Sequence, residues 1–282
     1  MSSESASGAG APQRICFYFS AHQDDWQLFM NPPAFRDVLD GAKCVFIHMT
    51  AGDAGLGQGD GGRKHPLYLA RENGAESAIR FMADQDYRPP VERSVATMAF
   101  NGHPLRCVNY RNTVAYFLRL PDGSPEGTGY AATGDQSLMR LAEGRIETLA
   151  AIDGTTSYRG WHDLVATLRD LIAFERGSAQ AIDLHTPDPD PASNPGDHSD
   201  HVMTAKAALD AAKGVTGARV FHHLGYASGS RPENLFGEDR DMKCAVYAVT
   251  LAGVLALDHE TAWRHYDQSF VGRDYWRAEE RD

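Results

Sequence analysis

Five short apolar runs along the chain have the composition of β-strands. The first two contain almost no polar residues, which is typical of strands buried on both faces of a sheet. Longer stretches with apolar residues at helical spacing alternate with these runs. The predicted strands are residues 14–21, 43–50, 94–100, 179–185 and 218–224. Strand–helix alternation predicts an α/β fold with a Rossmann-like, mostly parallel sheet flanked by helices.

The predicted helices fill the segments between the strands and continue toward the end of the chain. Gly177 and Gly214 stand where the C-terminal glycine caps of two helices belong. The helices are predicted at residues 67–83, 135–152, 160–175, 199–213, 239–257 and 259–268. No repeat or linker composition interrupts them, so a single domain over residues 14–282 is expected. Residues 1–13, rich in Ser, Ala and Gly, are predicted to be a disordered tail.

Two segments depart from this alternation. Residues 101–133 contain the apolar run 113–120, which ends at a turn over residues 121–123 and is predicted to be a hairpin or edge strand. Residues 186–197 hold four prolines and no apolar periodicity, so we expect a loop after the fourth strand. Loops at this edge of an α/β sheet commonly carry ligand sites.

Charge and cysteine usage narrow the function of this chain of 282 residues. With 38 acidic and 27 basic side chains the net charge is −11, which disfavours general binding to nucleic acid or to an anionic membrane surface. No apolar run reaches the length of a membrane span, and the first residues lack a signal-peptide pattern. Cys16 and Cys44 sit inside apolar runs, so reduced core cysteines in a cytoplasmic protein are expected.

The first predicted strand runs into a dense polar cluster. His22, Asp24 and Asp25 follow it directly, at the carboxyl edge where an α/β sheet opens. His22 and Asp25 are three residues apart, so in a tight turn they face the same side, and a divalent metal such as zinc accepts both as ligands. For this cluster alone a structural interpretation is equally open, because either aspartate can cap the next helix and His22 can be a hydrogen-bonded loop histidine.

A second cluster of the same kind opens a later helix. His198, Asp200 and His201 follow the proline-rich loop, and the two histidines are again three residues apart. The structural alternative is an N-cap at Ser199 with solvated histidines. Because both clusters follow parallel strands, we expect them to meet at one edge of the sheet and form a mononuclear metal site with an open position. Spacing alone does not decide whether His198 or His201 binds the metal.

These motifs resemble those of a known family. AHQDD at residues 21–25 and HSDH at residues 198–201 look like the AHPDD and HPDH motifs of the LmbE-like (PIG-L) zinc-dependent deacetylases. The loop TAGDAG at residues 50–55 is similar to the TxGxxG loop of the family, and Arg71 matches an arginine on the helix that follows. The resemblance spans about residues 14–224. The family includes N-acetylglucosaminyl-phosphatidylinositol deacetylases and the mycothiol and bacillithiol deacetylases and amidases.

The resemblance implies a role for each matching residue. One zinc ion per chain would be held by three of them: His22, Asp25 and His201. Asp24 would act as general base toward the attacking water, and His198 would stabilise the oxyanion or protonate the leaving amine. Asp200 would orient and charge the imidazole of His198. A His/Asp site also accepts iron or manganese in place of zinc.

The chain departs from the family motifs at three positions. Gln23 and Ser199 replace prolines, and Trp26 replaces a glutamate. None of these replaces a ligand or a proton-transfer group, so catalysis is still expected, and Trp26 is expected to reshape the wall of the substrate pocket or to pack beneath it. In sugar-processing relatives an arginine and an aspartate bind substrate hydroxyls. Arg71 matches the first and Asn101 is the candidate for the second, with an ordinary structural role as the alternative for both.

The sequence therefore predicts a metal-dependent hydrolase that removes an N-acyl group, N-acetyl first of all, from a small amino-sugar-type substrate. An amidase acting on a non-sugar amide, such as a thiol conjugate or a specialised metabolite, is the alternative enzyme. A non-catalytic metal- or sugar-binding protein is an alternative of another class, although it would not require Asp24 and His198. Nucleic acid and membranes are not expected partners, and a homo-oligomer is compatible with the sequence.

Overall fold

The strands of the computed structural model, which describes residues 14–281 except 86–88 and 90, form two sheets. The strands are β1 (Arg14–Ser20), β2 (Lys43–Thr50), β3 (Ser94–Phe100), β4 (His103–Tyr110), β5 (Thr113–Leu120), β6 (Thr148–Ala150), β7 (Ser157–Arg159), β8 (Ala181–Pro187), β9 (Ala218–His223) and β10 (Trp276–Arg281). Eight of them build one sheet in the order β10-β9-β8-β1-β2-β5-β4-β3, and β6 pairs with β7. From β9 to β5 the neighbouring strands are parallel, whereas β10, β4 and β3 pair antiparallel. The predicted mostly parallel sheet is confirmed, and the predicted tail at residues 1–13 lies outside the described residues.

Helices cover both faces of the large sheet. They are α1 (Asp25–Phe29), α2 (Pro33–Leu39), α3 (Leu67–Ala83), α4 (Leu138–Ala142), α5 (Gly160–Arg176), α6 (Ser199–Ala211), α7 (Gly237–Leu255) and α8 (Trp263–Tyr266). One core cluster contains Leu168 of α5 and Ala208 of α6, and the other contains Ile79 of α3 and Leu251 of α7. In the part of the chain that the structure describes, no helix is long and apolar enough to cross a membrane.

β1 is buried on both faces, as its unbroken apolar run predicted. Phe17 and Phe19 belong to the core cluster beneath α5 and α6, while Cys16 and Tyr18 belong to the cluster on the opposite face. β1 pairs in parallel with β2 on one side and with β8 on the other. The segments that follow these three strands therefore emerge together at the carboxyl edge of the sheet.

Residues 113–120 form an interior strand, so the prediction of an edge strand there was wrong, whereas that of a hairpin strand is confirmed, because β5 follows β4 after a two-residue turn at Arg111 and Asn112. β5 pairs in parallel with β2 and antiparallel with β4. A second hairpin joins β3 to β4 through a turn at Asn101 and Gly102, and β3 is the far edge of the sheet. β4 was not predicted, because Pro104 and Arg106 interrupt its apolar pattern.

Three segments near or after the middle of the chain also differ from the prediction. The helix predicted at residues 135–152 is confined to α4, since Gly144 takes a positive φ of 67° and the chain then enters β6. The helix predicted at residues 259–268 is reduced to α8 and a π-helical turn at Asp267–Val271. β10 was not predicted because its sequence WRAEER is strongly charged, as suits its position at the edge of the sheet.

Helix α7 packs against α3 at a point where each helix has a glycine, Gly253 in α7 and Gly74 in α3. A Cβ atom on Gly253 of α7 would lie 2.7 Å from Gly74 Cα and 2.9 Å from Asn73 O of α3. Asn73 Nδ2 donates a hydrogen bond of 2.8 Å to Gly253 O across the same contact. Through this contact α7 joins the core cluster that contains Tyr18 of β1. We therefore propose that residues 14–282 form a single domain.

We expect Gly253→Val to lower the free energy of unfolding by about 1–3 kcal/mol, because the new side chain must displace the backbone of α3. Ala252→Val is the matched control, since Ala252 is the adjacent and exposed residue of the same helix. Urea unfolding followed by circular dichroism measures both, and a single domain predicts one transition for each protein. Equal stability of the two variants would contradict a close approach of the two backbones.

Candidate active site

The two predicted polar clusters meet at the carboxyl edge of the sheet. The turn after β1 carries His22 and Asp25, and the first turn of α6 carries His201. His201 Nε2 lies 3.3 Å from Asp25 Oδ1, and His22 Nδ1 lies 3.5 Å from the same oxygen. All three residues are buried, so this polar group is largely shielded from solvent.

Hydrogen bonds from the surrounding chain orient these side chains. Asp25 Oδ2 accepts a 2.7 Å hydrogen bond from the backbone N–H of His22, which fixes the turn. His201 Nδ1 lies 2.9 Å from Asp197 Oδ1, and Asp197 also accepts hydrogen bonds from Asn194 and from the backbone N–H of Tyr226. An imidazole that donates from Nδ1 keeps its lone pair on Nε2. Among the described residues, His201 Nε2 has no hydrogen-bond partner, so that lone pair is available to a ligand.

This arrangement can hold a divalent metal. One ligand atom from each of His22, Asp25 and His201 lies within 4.8 Å of the others. A second group meets the same distance and shares one histidine with the first: His22, Asp122, His198 and Asp200. His198 Nδ1 accepts a 3.2 Å hydrogen bond from the backbone N–H of Asp200, so a neutral imidazole there carries its proton on Nε2. The hydrogen bonds therefore favour the first group as metal ligands.

The carboxylates around the two histidines favour positive charge at this point. Burial by itself lowers the pKa of His22, but Asp25, Asp200 and Asp122 raise it to about 10. Burial also lowers the pKa of His201, but neighbouring carboxylates raise it well above its usual value. Burial raises the pKa of Asp25, but His201 and His22 bring it well below its usual value. A divalent cation bound to neutral imidazoles can supply the positive charge that the carboxylates favour.

Asp24 differs from its buried neighbours because its side chain is 19 % exposed. Asp24 Oδ1 lies 3.4 Å from Arg71 Nη1 of α3. Both residues line a cleft of about 80 Å³, called here the polar cleft, together with His22, Asp122 and His198. A water molecule or a substrate in the polar cleft can therefore reach the carboxylate of Asp24.

The carboxylate of Asp200 lies near His198, with a backbone N–H as its hydrogen-bond donor. Asp200 Oδ2 accepts a 2.8 Å hydrogen bond from the backbone N–H of Gly123 and lies 3.8 Å from His198 Nδ1. A Cβ on Gly123 would lie 2.5 Å from Asp200 Oδ1, so the approach requires glycine. The backbone N–H of Asp200 donates a 3.2 Å hydrogen bond to His198 Nδ1, and the role of the carboxylate toward His198 stays a prediction. Burial and the neighbouring charge of His22 lower the pKa of His198 to about 4, which keeps its imidazole neutral.

Asp122 lies in the site although the sequence analysis did not select it. It follows β5, and its Oδ2 lies 3.8 Å from His22 Nε2 while its Oδ1 lies 3.8 Å from His198 Nε2. Its backbone N–H donates a 2.9 Å hydrogen bond to Asp53 Oδ1, which ties it to the loop after β2. The sequence carried part of the signal, since Asp122 directly follows the predicted strand at residues 113–120. The missing part was the parallel pairing of that strand with β2, which brings Asp122 to this edge.

Two of the predicted substrate-binding residues do not reach the polar cleft, whereas Arg71 does. Trp26 is fully buried, and its ring centroid lies 4.7 Å from that of Phe46, so it packs beneath the site. Asn101 lies at the end of β3, four strand spacings of about 4.8 Å from β1. Its Nδ2 donates a 2.8 Å hydrogen bond to Asp163 Oδ1 on the surface.

The fold and the buried His/Asp group define an α/β protein with a metal-capable site at the carboxyl edge of its sheet. The model of the family PIG-L, described as GlcNAc-PI de-N-acetylase, matches residues 17–212. The chain belongs to this family and is a hydrolase of the N-deacetylase type. No curated protein matches the chain significantly.

Solved structures of deacetylases are similar to this chain. The N,N'-diacetylchitobiose deacetylase from Pyrococcus horikoshii is 12 % identical, with 95 % of this chain and 84 % of that chain covered and a TM-score of 0.51. The A40926 pseudoaglycone deacetylase Dbv21 is 15 % identical, with 92 % and 87 % covered and a TM-score of 0.46. The zinc-inhibited form of teicoplanin deacetylase Orf2 is 16 % identical, with 90 % of each chain covered and a TM-score of 0.45. At such identities the first of these confirms the fold.

We expect Asp197→Ala to weaken zinc binding by about 10- to 100-fold, because His201 loses the acceptor that holds its tautomer and orientation. Asp210→Ala is the matched control, since Asp210 also accepts a side-chain hydrogen bond but lies in the last turn of α6. Competition between the metal-free protein and a chromogenic chelator measures the zinc affinity. Equal affinity of the two variants would contradict the assignment of His201 as a ligand.

Proposed function

We propose that the protein hydrolyses an N-acyl amide in a small amino-sugar-type substrate, with N-acetyl as the simplest acyl group. The observation that carries the proposal is one cleft that combines a buried metal-capable group with a partly exposed carboxylate, Asp24, and an imidazole, His198, whose Nδ1 accepts a backbone hydrogen bond. Membership of the PIG-L family supports the same chemistry. A protein that only bound a metal or a sugar would have no use for Asp24 and His198 at these positions.

His22, Asp25 and His201 are the proposed metal ligands. Two imidazoles and one carboxylate suit zinc with an open position, and iron and manganese accept similar donors. The buried Nε2 atoms of His22 and His201 have no hydrogen-bond partner among the described residues, which fits their use as ligands. The bound ion would polarise the amide carbonyl and lower the pKa of a water molecule.

Asp24 is the proposed general base. Its carboxylate is open to the polar cleft, so it can accept a proton from the attacking water and return that proton to the leaving nitrogen. Arg71, 3.4 Å away, holds the carboxylate at the mouth of the polar cleft. Asp24 is absent from both groups of metal-capable residues, which separates proton transfer from metal binding.

His198 is the proposed hydrogen-bond donor to the carbonyl oxygen. Its Nδ1 accepts from the backbone N–H of Asp200, so its Nε2–H is directed away from α6 and toward the side of Asp122. A neutral donor stabilises negative charge as it develops on the oxygen and keeps its own proton. Asp122 and Arg71, which also line the polar cleft, are the proposed partners of substrate hydroxyl groups.

Asp24→Asn should reduce kcat for amine release by about 10²- to 10⁴-fold, because an amide cannot accept the proton of the attacking water. The assay follows amine release from a panel of N-acetylated amino sugars, with the metal content measured on the same samples. Asp60→Asn is the matched control, because Asp60 is an exposed carboxylate in the loop after β2.

Turnover by the wild type, lost in Asp24→Asn while the metal is retained, would support the proposal. Loss of the metal from that variant would contradict the division between base and ligands. Bound metal without turnover of any sugar would contradict the amino-sugar substrate, and simple N-acyl amines would then separate an amidase from a binding protein.

A further inference from the structure

The C-terminal part of the chain builds a second cavity beside the polar cleft. The family match ends at residue 212, and α7 and the segment 260–262 lie beyond it. This side cavity has a volume of about 180 Å³ and shares Asp24 and Arg71 with the polar cleft. Its apolar wall comes from α3, α7 and the segment after α7: Leu67, Tyr247, Leu251, Val254 and Ala262.

The close approach of α3 and α7 sets the wall of the side cavity. A Cβ on Gly74 would lie 2.7 Å from Thr250 O and 3.0 Å from Val254 Cγ2. The two glycines therefore allow α7 to place Thr250 and Val254 against α3. Thr250 Oγ1 is occupied by a 3.1 Å hydrogen bond to Val246 O within the helix, so this polar atom is already satisfied.

The two cavities differ in the chemistry that they offer a ligand. The polar cleft holds ionisable side chains, including Asp122 and His198. The side cavity also borders Asp24, Arg71 and Glu260, but alkyl and aromatic groups dominate its wall. An apolar cavity of about 150 Å³ is large enough for benzene. The side cavity therefore has the size and the surface for an alkyl chain of several carbons or for one ring.

We propose that the side cavity binds the acyl group of the substrate, so that medium-length N-acyl groups, about C4 to C8, react faster than N-acetyl. The inference rests on the proposed hydrolysis of an N-acyl amide. Because Asp24 borders both cavities, an amide beside it reaches both. The hydroxylated amine part finds hydrogen-bond partners in the polar cleft, and the acyl chain, which needs none, is removed from water in the side cavity.

The test compares kcat/KM for glucosamine carrying N-acetyl, N-butanoyl, N-hexanoyl or N-octanoyl groups. Each buried methylene should raise kcat/KM by up to about fourfold until the side cavity is full, so the hexanoyl substrate should exceed the acetyl substrate by at least about tenfold. Ala262→Trp, at an exposed position of the wall, should lower this hexanoyl-to-acetyl ratio by about tenfold. Ala252→Trp, an exposed position of α7 that does not line the side cavity, should leave the ratio unchanged.

Three results would overturn the assignment of the side cavity to the acyl group. The first is a rate that stays level or falls as the acyl chain lengthens. The second is an equal ratio in Ala262→Trp and Ala252→Trp. The third is faster hydrolysis of the octyl glycoside of N-acetylglucosamine than of the free sugar, without any preference among acyl groups, which would assign the cavity to the leaving amine.

Failure of the proposed hydrolysis is distinguishable from failure of the acyl site. If no member of the panel is hydrolysed, calorimetry compares binding of sodium hexanoate and sodium acetate to the zinc-loaded protein. Saturable hexanoate binding that exceeds acetate binding, and that Ala262→Trp but not Ala252→Trp weakens, would support the acyl site. Equal binding of the two carboxylates, or none, would overturn it.

Discussion

The parallel pairing of β1 with β8 is the constraint on which the site depends. The register sets Tyr18 beside His185, so the chain leaves both strands side by side at one edge of the sheet. His22 reaches this edge by a turn, whereas His201 reaches it after the proline-rich loop and the start of α6. A slip of one residue in β1 would exchange the side chains that enter the two core clusters, because alternate residues face opposite sides. The hydrophobic core therefore fixes the register, and the register fixes the site.

Burial of several carboxylates at one point is unfavourable unless each has a partner. Backbone N–H groups provide some of these partners: that of His22 donates to Asp25, and that of Gly123 donates to Asp200. These bonds hold the carboxylates in place but leave their negative charge close together. Protons on the histidines can balance that charge, and so can a divalent cation. The second solution keeps the imidazoles neutral and binds all the groups to one centre, which couples metal binding to the stability of the site.

The parts of the fold with a local signal could be predicted from the sequence. β2 and α3 have the predicted bounds, because a continuous apolar run and a helical spacing are properties of a short segment. The position of a strand within the sheet is not such a property. The runs at residues 94–100 and 113–120 both predict strands, but only their pairing makes β3 the edge and β5 an interior neighbour of β2. For this reason the sequence led to Asn101, which follows β3, as the candidate substrate-binding residue, whereas in the structure Asp122, which follows β5, lies in the site.

Burial depends on tertiary packing in the same way. Trp26 follows two aspartates in the sequence, and only its contact with Phe46 reveals that it lies under the site. Asp197 directly precedes the second cluster in the sequence, but its role depends on the position of His201 Nδ1 after folding. The motifs therefore predict which segments meet, while the partners that orient each side chain follow from the packing.

Catalysis and substrate choice place different demands on the structure. Proton transfer and metal binding require side chains held to within about 0.5 Å, which the register of adjacent strands and the backbone hydrogen bonds provide. An acyl pocket needs only apolar surface and the right volume, and each methylene changes affinity by a modest step. Such a wall can come from a segment that is separate from the sheet, and α7 is such a segment because it docks on α3 through Gly74 and Gly253. Changes in Leu251 or Ala262 can then alter the acyl group that fits while the geometry at Asp24 and His198 stays the same. The proposed acyl site therefore makes the choice of substrate depend more on α7 than on the His/Asp motifs that define the chemistry.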